Sequence, residues 1–303
     1  MDSIKLEIQG ILMLKLDEKK IRKGRPIGLP YQGSKKKISK KIIEIIKQNF
    51  GTDKPIYDIF GGGGAITAEC ILNGLEVHYN DLDKDITNAF ERVVSQDREW
   101  IKTLIVSRTE FFEIRDKENK TTDDFLKLLI NSFGNKKRDY LYSKEISDLK
   151  YNLAKEIIEK HDVFRGYKQT ETYKRSVEKY KQLERLERLE RLEQLERLER
   201  LNEVKATNKS YHTFSDVSGA ILYLDPPYEG SHQKGYINQF DSQEFYDWAF
   251  EIAKNNIVII SSYSISDERF EVVYSFDKAR STIQGGIRND KCEKLFMVKN
   301  ISN

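Results

Sequence analysis

Cysteine, histidine and long apolar runs are scarce in this sequence of 303 residues. Two cysteines exclude a disulfide framework and a cysteine-based zinc site, and four scattered histidines lack the spacing of metal ligands, so we expect no metal. The apolar stretch Ile11–Leu16 is interrupted by Lys15, and no segment is long enough to span a bilayer. A cytoplasmic protein without membrane contact is therefore expected.

Charge is unevenly distributed along the chain, although the net charge is only +3. Residues 1–50 carry 13 Lys or Arg against 5 acidic residues, and residues 131–181 carry 13 against 8. A local basic surplus is the expected footprint of a polyanionic partner. Charge alone fits a lysine-rich soluble protein equally well, so the choice depends on the motifs.

The order of apolar runs and turns predicts a doubly wound α/β sheet. A short strand at 55–60 breaks into Gly61–Gly64, a helix follows at 65–73, and a second strand at 75–80 ends in Asp81. Strand, glycine turn, helix, strand and acidic end form the opening unit of a nucleotide-binding sheet. Helices are also predicted at 36–50 and 245–254, and strands at 220–224, 257–261, 270–276 and 294–298, the last two as an antiparallel pair.

The alternation of strands and helices stops near residue 95 and resumes near residue 215. The segment between them is mostly helical in pattern and basic, which predicts an inserted domain. The main α/β domain is then discontinuous, at 26–98 and 206–303. The insertion occupies 99–182, and a repetitive segment occupies 183–203.

A Leu-Glu-Arg repeat runs from Leu183 to Leu201 and deviates at Gln194. Leucine at every third position turns about 300° per step on an α-helix, so the leucines drift around the helix without forming a seam. Glutamates precede arginines by four residues, and such ion pairs favour a helix. The segment is predicted to be an exposed helix or spacer. A dimerising coiled coil is the less favoured interpretation, and we expect a monomer.

The sequence Asp225-Pro226-Pro227-Tyr228 directly follows an apolar strand and carries the strongest chemical signal. Two prolines fix the local backbone and lack amide hydrogens, so the carbonyl groups there point in set directions. An exocyclic amine needs two acceptors at fixed positions, which Asp225 and a neighbouring carbonyl would supply, and Tyr228 would stack on the base. A proline-stiffened strand end is the alternative, and the acid and the aromatic residue disfavour it.

Two weaker motifs precede this one. The run Gly61–Gly64 lets the backbone approach a ligand closely, although a simple tight turn is equally expected of it. Asp81, about twenty residues on at the end of the next strand, favours a ligand loop, because a carboxylate there binds ribose hydroxyls. The segment Tyr31-Gln32-Gly33-Ser34-Lys35 precedes a helix, and its lysine either faces solvent or neutralises a carboxylate of a bound cofactor.

These three elements, in this order, resemble the Dam-like, D12-class adenine-N6 DNA methyltransferases. That family carries Tyr/Trp-x-Gly-Gly/Ser-Lys, then Asp-x-Phe-x-Gly-x-Gly, a target-recognition insertion and Asp-Pro-Pro-Tyr. The counterparts here are Tyr31–Lys35, Asp58–Gly64 and Asp225–Tyr228, with Ser34 where a second glycine is common. The resemblance covers nearly all of residues 26–298 except the repeat. Secondary matches are Tyr79–Asp81, Ser132–Asn135, Ile260–Ser262, Arg280–Thr282 and Glu293–Phe296.

The resemblance implies a Rossmann-like, S-adenosylmethionine-dependent methyltransferase fold. Residues 26–98 and 206–303 are then the catalytic domain, and 99–182 is the mainly helical target-recognition insertion. It implies methyl transfer to N6 of an adenine flipped out of double-stranded DNA, without a metal. The cofactor contacts carried over are Tyr31, Lys35, Asp58, Phe60, Gly61, Gly63, Asp81 and Asp225, the catalytic motif is Asp225, Pro226, Pro227 and Tyr228, and the DNA contacts are Asn135, Lys136, Lys137 and Arg138.

Hydrogen bonds from N6 to Asp225 and to the Pro226 carbonyl are expected to aim the nitrogen lone pair for direct in-line displacement. Three alternatives stay open: an amino methyltransferase acting on cytosine N4, one acting on RNA, and a DNA-binding protein that has lost its chemistry. Asp225 favours adenine, because cytosine-N4 enzymes more often carry Ser there, and intact Lys35 and Tyr228 disfavour an inactive protein. A cognate restriction endonuclease is a further partner that this class admits.

Overall fold

An N-terminal strand pair precedes the main sheet of the computed structural model. Strands β1 (Glu7–Ile8) and β2 (Ile11–Leu12) pair antiparallel, and the Leu14 amide then donates to the Val273 carbonyl at 2.9 Å. The structure describes residues 7–8, 11–31, 33–199, 201, 204–229, 240–276 and 292–299. Gln32 and Arg280–Thr282, which belong to the sequence motifs, lie outside those residues.

Seven further strands form one sheet in the order β5-β4-β3-β6-β7-β9-β8. Strands β3 to β7 are parallel, and β9 runs antiparallel between β7 and β8. The chain moves outward from β3 through β4 to β5, then returns to the other side of β3 to form β6, so the strand order reverses between β3 and β6. The strands are β3 (Ile56–Asp58), β4 (Val77–Asn80), β5 (Ala206–Thr207), β6 (Ile221–Leu224), β7 (Ile257–Ser262), β8 (Phe270–Ser275) and β9 (Lys294–Val298).

Helices pack against the sheet and against one another. The described residues contain α1 (Ser39–Phe50), α2 (Ala65–Leu72), α3 (Lys84–Val94), α4 (Arg98–Lys102), α5 (Arg108–Asp116), α6 (Thr122–Asn131), α7 (Lys144–His161), α8 (Glu171–Lys179), α9 (Glu187–Glu199) and α10 (Ser242–Ile252). Helices α1, α2 and α10 share core clusters with the sheet, and α3 to α9 pack against one another as a helical layer. Short 3-10 turns lie at Glu18–Lys20, Lys35–Lys37, Phe133–Asn135, Tyr167–Gln169, Lys181–Leu183 and Tyr211–Phe214. Within the described residues, no helix is both long and apolar enough to cross a membrane.

Strand β6 is buried on both faces, which explains its uninterrupted apolar run. Ile221 and Tyr223 pack in one core cluster with α1 and α2, whereas Leu222 and Leu224 pack in another with α10. Side chains alternate between the two faces of a strand, so a central parallel strand needs apolar residues at every position. The motif that follows β6 is thereby placed at the end of a rigid strand.

The strand and helix predictions for the sheet are confirmed to within a few residues. The predicted antiparallel closing pair corresponds to β8 and β9. Strand β5 had no apolar signal, because it is two residues long and pairs with β4 on one side only. From Lys84 to Glu199, all of which the structure describes, the chain is helical, with one isolated bridge between Ser132 and Tyr140.

The repeat forms the predicted helix, α9, but the prediction that this helix is exposed is wrong. Every leucine of the repeat is buried, with at most 4% of its surface exposed, and α9 contacts α3, α4 and α6. Leucines that point in all directions have to be covered on all sides, and here the surrounding helices cover them. The buried leucines are Leu183, Leu186, Leu189, Leu192, Leu195, Leu198 and Leu201.

The charged residues of the repeat mostly contact other parts of the fold. Of the predicted ion pairs between a glutamate and the arginine four residues later, Glu193–Arg197 is present, but Glu187 accepts from Tyr142 and Glu196 pairs with Arg98. Ion pairs along the helix are worth a few tenths of a kcal/mol, so they do not determine where the helix lies. Burial of the leucines determines where the helix lies. Helix α9 is therefore an internal element of the helical layer.

Gln194, the deviation in the repeat, contacts Lys36 in the 3-10 turn Lys35–Lys37. The Lys36 ammonium donates to Gln194 Oε1 at 2.6 Å, and burial, followed by the charge of Arg191, lowers the pKa of Lys36 to about 8. We expect Gln194→Arg, which completes the repeat, to lower the free energy of unfolding by about 1–3 kcal/mol, because it places two cations side by side at a half-buried position and removes the acceptor of Lys36.

Chemical denaturation measures this effect, and Gln194→Glu is the matched control. The glutamate keeps an oxygen acceptor for Lys36 and adds a favourable charge, so we expect it to cost no more than about 0.5 kcal/mol. Equal stability of the arginine variant and the unmodified protein would contradict the contact.

Candidate active site

Three loops meet at one edge of the sheet, where the parallel strands end. Gly61–Gly64 follows β3, Asp81 follows β4, and Asp225 follows β6. The order of strands reverses between β3 and β6, and in open α/β sheets a crevice opens at that point beyond the carboxyl ends of the strands. Motifs far apart in sequence are thus brought into one place.

Lys35 joins the N-terminal motif to the Asp-Pro-Pro-Tyr motif. Its ammonium donates to Asp225 Oδ1 at 2.7 Å and to the Tyr228 hydroxyl at 2.6 Å, and it lies 5.0 Å from the centre of the Tyr228 ring. Ser34 begins the 3-10 turn Lys35–Lys37 by accepting from the Lys36 amide, which fixes the start of this turn. The predicted contact between Lys35 and a cofactor carboxylate stays a prediction, since the lysine here faces a carboxylate of its own chain.

The site is largely shielded from water, and this shifts its pKa values. Burial raises the pKa of Asp225 to about 6, although the charge of Lys35 opposes the shift. Burial lowers the pKa of Lys35, but the charges of Asp225 and Glu293 outweigh it and the net shift is upward. Burial, with the two carboxylates, also holds the pKa of Tyr228 far above its ordinary value. Lys35 is therefore cationic and Tyr228 neutral at physiological pH.

The glycine loop is required by packing inside the protein. A Cβ on Gly61 would lie 2.3 Å from the Tyr79 ring, and one on Gly64 would lie 2.1 Å from the Phe90 ring. Gly64 also has a φ of 70°, which lets it begin α2. Tyr31 lies against the loop as well, because a Cβ on Gly63 would come within 2.9 Å of its Cβ. The loop backbone is thereby pressed between aromatic rings and held at the crevice.

Asp81 holds the same loop by hydrogen bonds and can still accept further hydrogen bonds. Its Oδ2 accepts from the Gly62 amide and its Oδ1 from the Asp83 amide, both at 2.8 Å. A carboxylate has about four lone-pair sites, so two remain for hydroxyl donors. Burial raises its pKa to about 6. The position after β4 and the spare acceptors fit a ribose.

Asp58 and Phe60 are directed into the protein. Asp58 Oδ2 accepts from the Thr67 amide at 3.1 Å and from the Thr67 hydroxyl at 2.7 Å, and burial raises its pKa to about 7. The Phe60 ring packs with Tyr211, Phe240 and Phe245. The contacts of Asp58 show how it ties β3 to α2, and the cofactor roles carried over for both residues stay predictions.

The four residues carried over as DNA contacts form one exposed turn between Ser132 and Tyr140. Lys136 and Arg138 are exposed, and the Arg138 guanidinium donates to Asp139 at 2.9 Å. Lys137 lies over the Phe125 ring at 4.0 Å, and burial lowers its pKa although Asp83 and Asp85 raise it. The turn also carries Asn135, whose buried side-chain oxygen has no partner, and Phe133, which is 66% exposed.

Glu293 and Ser261 belong to the site and had been assigned no role. Glu293 accepts from the Tyr228 hydroxyl at 2.9 and 3.0 Å and from the Ser261 hydroxyl at 2.8 Å. Ser261 and Glu293 lie in the secondary family matches Ile260–Ser262 and Glu293–Phe296, and the sequence signal for Glu293 is its place directly before a predicted antiparallel strand. Among the described residues, no group of three or more His, Cys, Asp or Glu side chains is arranged to hold a metal ion.

Comparisons with known proteins agree with the motifs. A model of the D12 class N6 adenine-specific DNA methyltransferases matches residues 31–288. No curated protein matches significantly. Two structures of the rRNA methyltransferase aviRa from Streptomyces viridochromogenes are similar over 86% of this chain and 84% of theirs, at 11% and 12% identity and TM-scores of 0.35 and 0.34. Superpositions this loose carry no argument about substrate or mechanism.

The sheet order, the glycine loop and the Asp-Pro-Pro-Tyr end of β6 define a Rossmann-like enzyme of the methyltransferase class. The family match covers most of the chain and includes all three motifs. The chain belongs to the D12 class of N6 adenine-specific DNA methyltransferases. Membership implies S-adenosylmethionine as the methyl donor and DNA as the substrate.

Proposed function

We propose that this protein methylates N6 of an adenine flipped out of double-stranded DNA, with S-adenosylmethionine bound in the crevice between β3 and β6. The observation that carries the proposal is the contact of Lys35 with Asp225 and Tyr228 at the end of β6. It gathers a fixed acceptor, a cation and an aromatic ring where a base amine would enter. These groups suit transfer to an exocyclic amine.

The donor end of the crevice fits S-adenosylmethionine. Asp81 has acceptor sites left for ribose hydroxyls, and the backbone of Gly61–Gly64 lines the crevice without side chains. Tyr31, which packs against that loop, is proposed to contact the donor as well. When bound there, S-adenosylmethionine supplies an electrophilic methyl group.

The acceptor end is proposed to act through position and charge. Lys35 occupies Oδ1 of Asp225, so Oδ2 and the Pro226 carbonyl are the acceptors for the two N6 hydrogens. Tyr228 stacks on the base, and the paired hydrogen bonds direct the nitrogen lone pair toward the methyl group. After transfer, the extra proton on nitrogen passes to Asp225, whose pKa of about 6 lets it release that proton at neutral pH.

DNA recognition is assigned to the helical insertion at 99–182, within a catalytic domain formed by 26–98 and 206–303. The exposed turn at 133–139 carries the basic residues Lys136 and Arg138 outward, where they would contact phosphates or base edges. The repeat at 183–203 joins these parts from inside, since α9 contacts α3 as well as α6. We propose a monomer.

Turnover is expected to fall at acidic pH, because Asp225 has to be ionised to accept hydrogen bonds from an amine. Burial raises its pKa to about 6, so the carboxylate predominates above that pH and the acid below it. The ratio kcat/KM should fall about tenfold per pH unit below this point and level off above about pH 7. Among the residues that the structure describes, the charged and titratable groups that face Asp225 are Lys35, Glu293, Asp81, Asp58, Tyr223, Tyr228 and Tyr263.

A pH–rate profile on duplex DNA measures this fall of kcat/KM at acidic pH, the acid limb of the profile. Thermal melting at each pH, as a control, excludes loss of the folded protein. A rate that stays constant down to about pH 5 would contradict the need for an ionised Asp225.

The substrate class is tested with labelled S-adenosylmethionine and three polymers of the same sequence: duplex DNA, single-stranded DNA and RNA. We expect label in the duplex, and at least about tenfold less in RNA. Preference for RNA would overturn the DNA assignment. Label in none of the three, with S-adenosylmethionine binding demonstrated by calorimetry, would show a protein that has lost its chemistry.

A further inference from the structure

We propose that Glu293 is a positioning residue for methyl transfer, which holds the Tyr228 ring and the Lys35 ammonium in place at Asp225. The inference rests on the proposed function of the site. Glu293 lies beyond the residues that the family model matches. It does not touch the reacting atoms and acts through Tyr228 and Lys35.

The direction of β9 explains how a residue near the end of the chain reaches this site. Strand β9 is antiparallel to β7, with Ser262 opposite Lys294 and Ser261 opposite Leu295. The amino end of β9 therefore lies at the edge where the parallel strands have their carboxyl ends. Glu293, directly before β9, is also fixed by a 2.9 Å hydrogen bond from the Phe276 amide to its carbonyl.

The Tyr228 hydroxyl lies between a donor, Lys35, and an acceptor, Glu293. Lys35 has only donors, so the hydroxyl accepts from it at 2.6 Å. The single phenolic proton then goes to Glu293, whose two oxygens lie 2.9 and 3.0 Å away. Ser261 donates to the same carboxylate at 2.8 Å and fixes its orientation. Glu293 thus anchors the far end of the ring that stacks on the base.

Charge gives Glu293 a second effect. The Lys35 ammonium lies 2.7 Å from Asp225 and 3.7 Å from Glu293, so one cation is shared by two carboxylates. The side chains of Lys35, Asp225 and Glu293 are only 10%, 17% and 13% exposed, so water screens these charges weakly. Glu293 draws the ammonium away from Asp225 and so leaves more of that carboxylate available to the amine.

The first test is the steady-state kinetics of Glu293→Ala on duplex DNA. We expect kcat to fall about 10- to 100-fold, the size of effect that misplacing a reacting group produces, while KM for donor and DNA stays within about threefold. Glu293→Gln keeps an oxygen acceptor for the Tyr228 hydroxyl, so it should recover most of the lost kcat. Glu268→Ala, at an exposed glutamate, is the matched control and should resemble the unmodified protein.

Two further readouts separate positioning from a purely structural role. In the Tyr228→Phe background, which lacks the hydroxyl, Glu293→Ala should lower kcat by a clearly smaller factor than in the unmodified protein, because only the effect of Glu293 through Lys35 is left to lose. The acid limb of the pH–rate profile should move to lower pH in both Glu293 variants, since a negative charge facing Asp225 is gone. A purely structural defect would lower the melting temperature without changing the dependence on Tyr228 or the pH–rate profile in this way.

The outcomes distinguish this inference from the proposed function. An active wild-type protein with unchanged kcat in Glu293→Ala, or additive losses with Tyr228→Phe, would overturn the role of Glu293 and leave the function intact. A rise in KM with constant kcat would make it a binding residue and also overturn the proposal. A wild-type protein that binds S-adenosylmethionine but methylates no polymer would overturn the function and this inference together.

Discussion

Asp225→Asn is expected to lower kcat for DNA methylation by at least about a hundredfold while the protein stays folded and binds its donor. The amide keeps the shape of the side chain and one acceptor oxygen, but its NH₂ group cannot accept. It also carries no charge to stabilise positive charge that develops on N6. Because the interaction is needed most in the transition state, the loss should appear in kcat more than in KM.

Asparagine is the better variant at this position, because alanine would also lower the free energy of unfolding. Asp225 is the nearest partner of the buried Lys35 ammonium, and removing one member of a buried ion pair costs about 3–5 kcal/mol. With asparagine, the 2.7 Å contact to Lys35 can persist through the remaining oxygen. The kinetic effect is then separable from unfolding.

Asp216→Asn is the matched control for this experiment. Asp216 is exposed and precedes β6, at the opposite edge of the sheet from Asp225. We expect its kcat and melting temperature to equal those of the unmodified protein. If Asp225→Asn retained more than about a tenth of the activity, the carboxylate would not be the acceptor that the mechanism requires.

Leu192→Ala is expected to lower the free energy of unfolding by about 2–5 kcal/mol, because it opens a cavity inside the helical layer. Leu192 is 0% exposed and packs in the same cluster as residues of α3, α4 and α6. A total stability of about 5–15 kcal/mol is usual for a domain, so this single change removes a large share. The result would establish that the repeat is part of the core.

Leu149→Ala is the matched control, since this leucine on α7 is 38% exposed. Chemical denaturation should show a change within about 0.5 kcal/mol for it. If the two alanine variants were equally stable, the repeat would be the exposed spacer that its periodicity predicted. The comparison therefore decides between the sequence pattern and the structure.

The elements that could be predicted from sequence are those whose local pattern has a single solution. Strand β6 needs apolar residues on both faces, and the alternation of strand and helix from 55 to 81 fits a doubly wound sheet. The glycine loop, Asp81 and Asp225 each follow a parallel strand, and the carboxyl ends of such strands share one edge. For this reason, Asp81 and Asp225 could be assigned to one crevice, whereas the N-terminal motif was joined to them only through the family resemblance.

What escaped prediction depends on contacts between distant segments. A leucine every third residue gives no preferred face, so the same pattern fits a helix in water and a helix enclosed by others. The choice between an exposed and an enclosed helix depends on α3, α4 and α6, because their apolar faces have to be covered by another element. Similarly, the contact of Lys35 with Asp225 joins residues 190 positions apart. The place of Glu293 follows from the antiparallel entry of β9.

The most direct test of the central claim is the identity of the methylated nucleoside. Purified protein is incubated with labelled S-adenosylmethionine and a mixed-sequence duplex, the DNA is digested, and the labelled nucleoside is identified by mass spectrometry. The site formed by Asp225, Pro226 and Tyr228 predicts N6-methyladenine, lost in Asp225→Asn. Label in N4-methylcytosine would contradict the account, since the same crevice would then hold a different base.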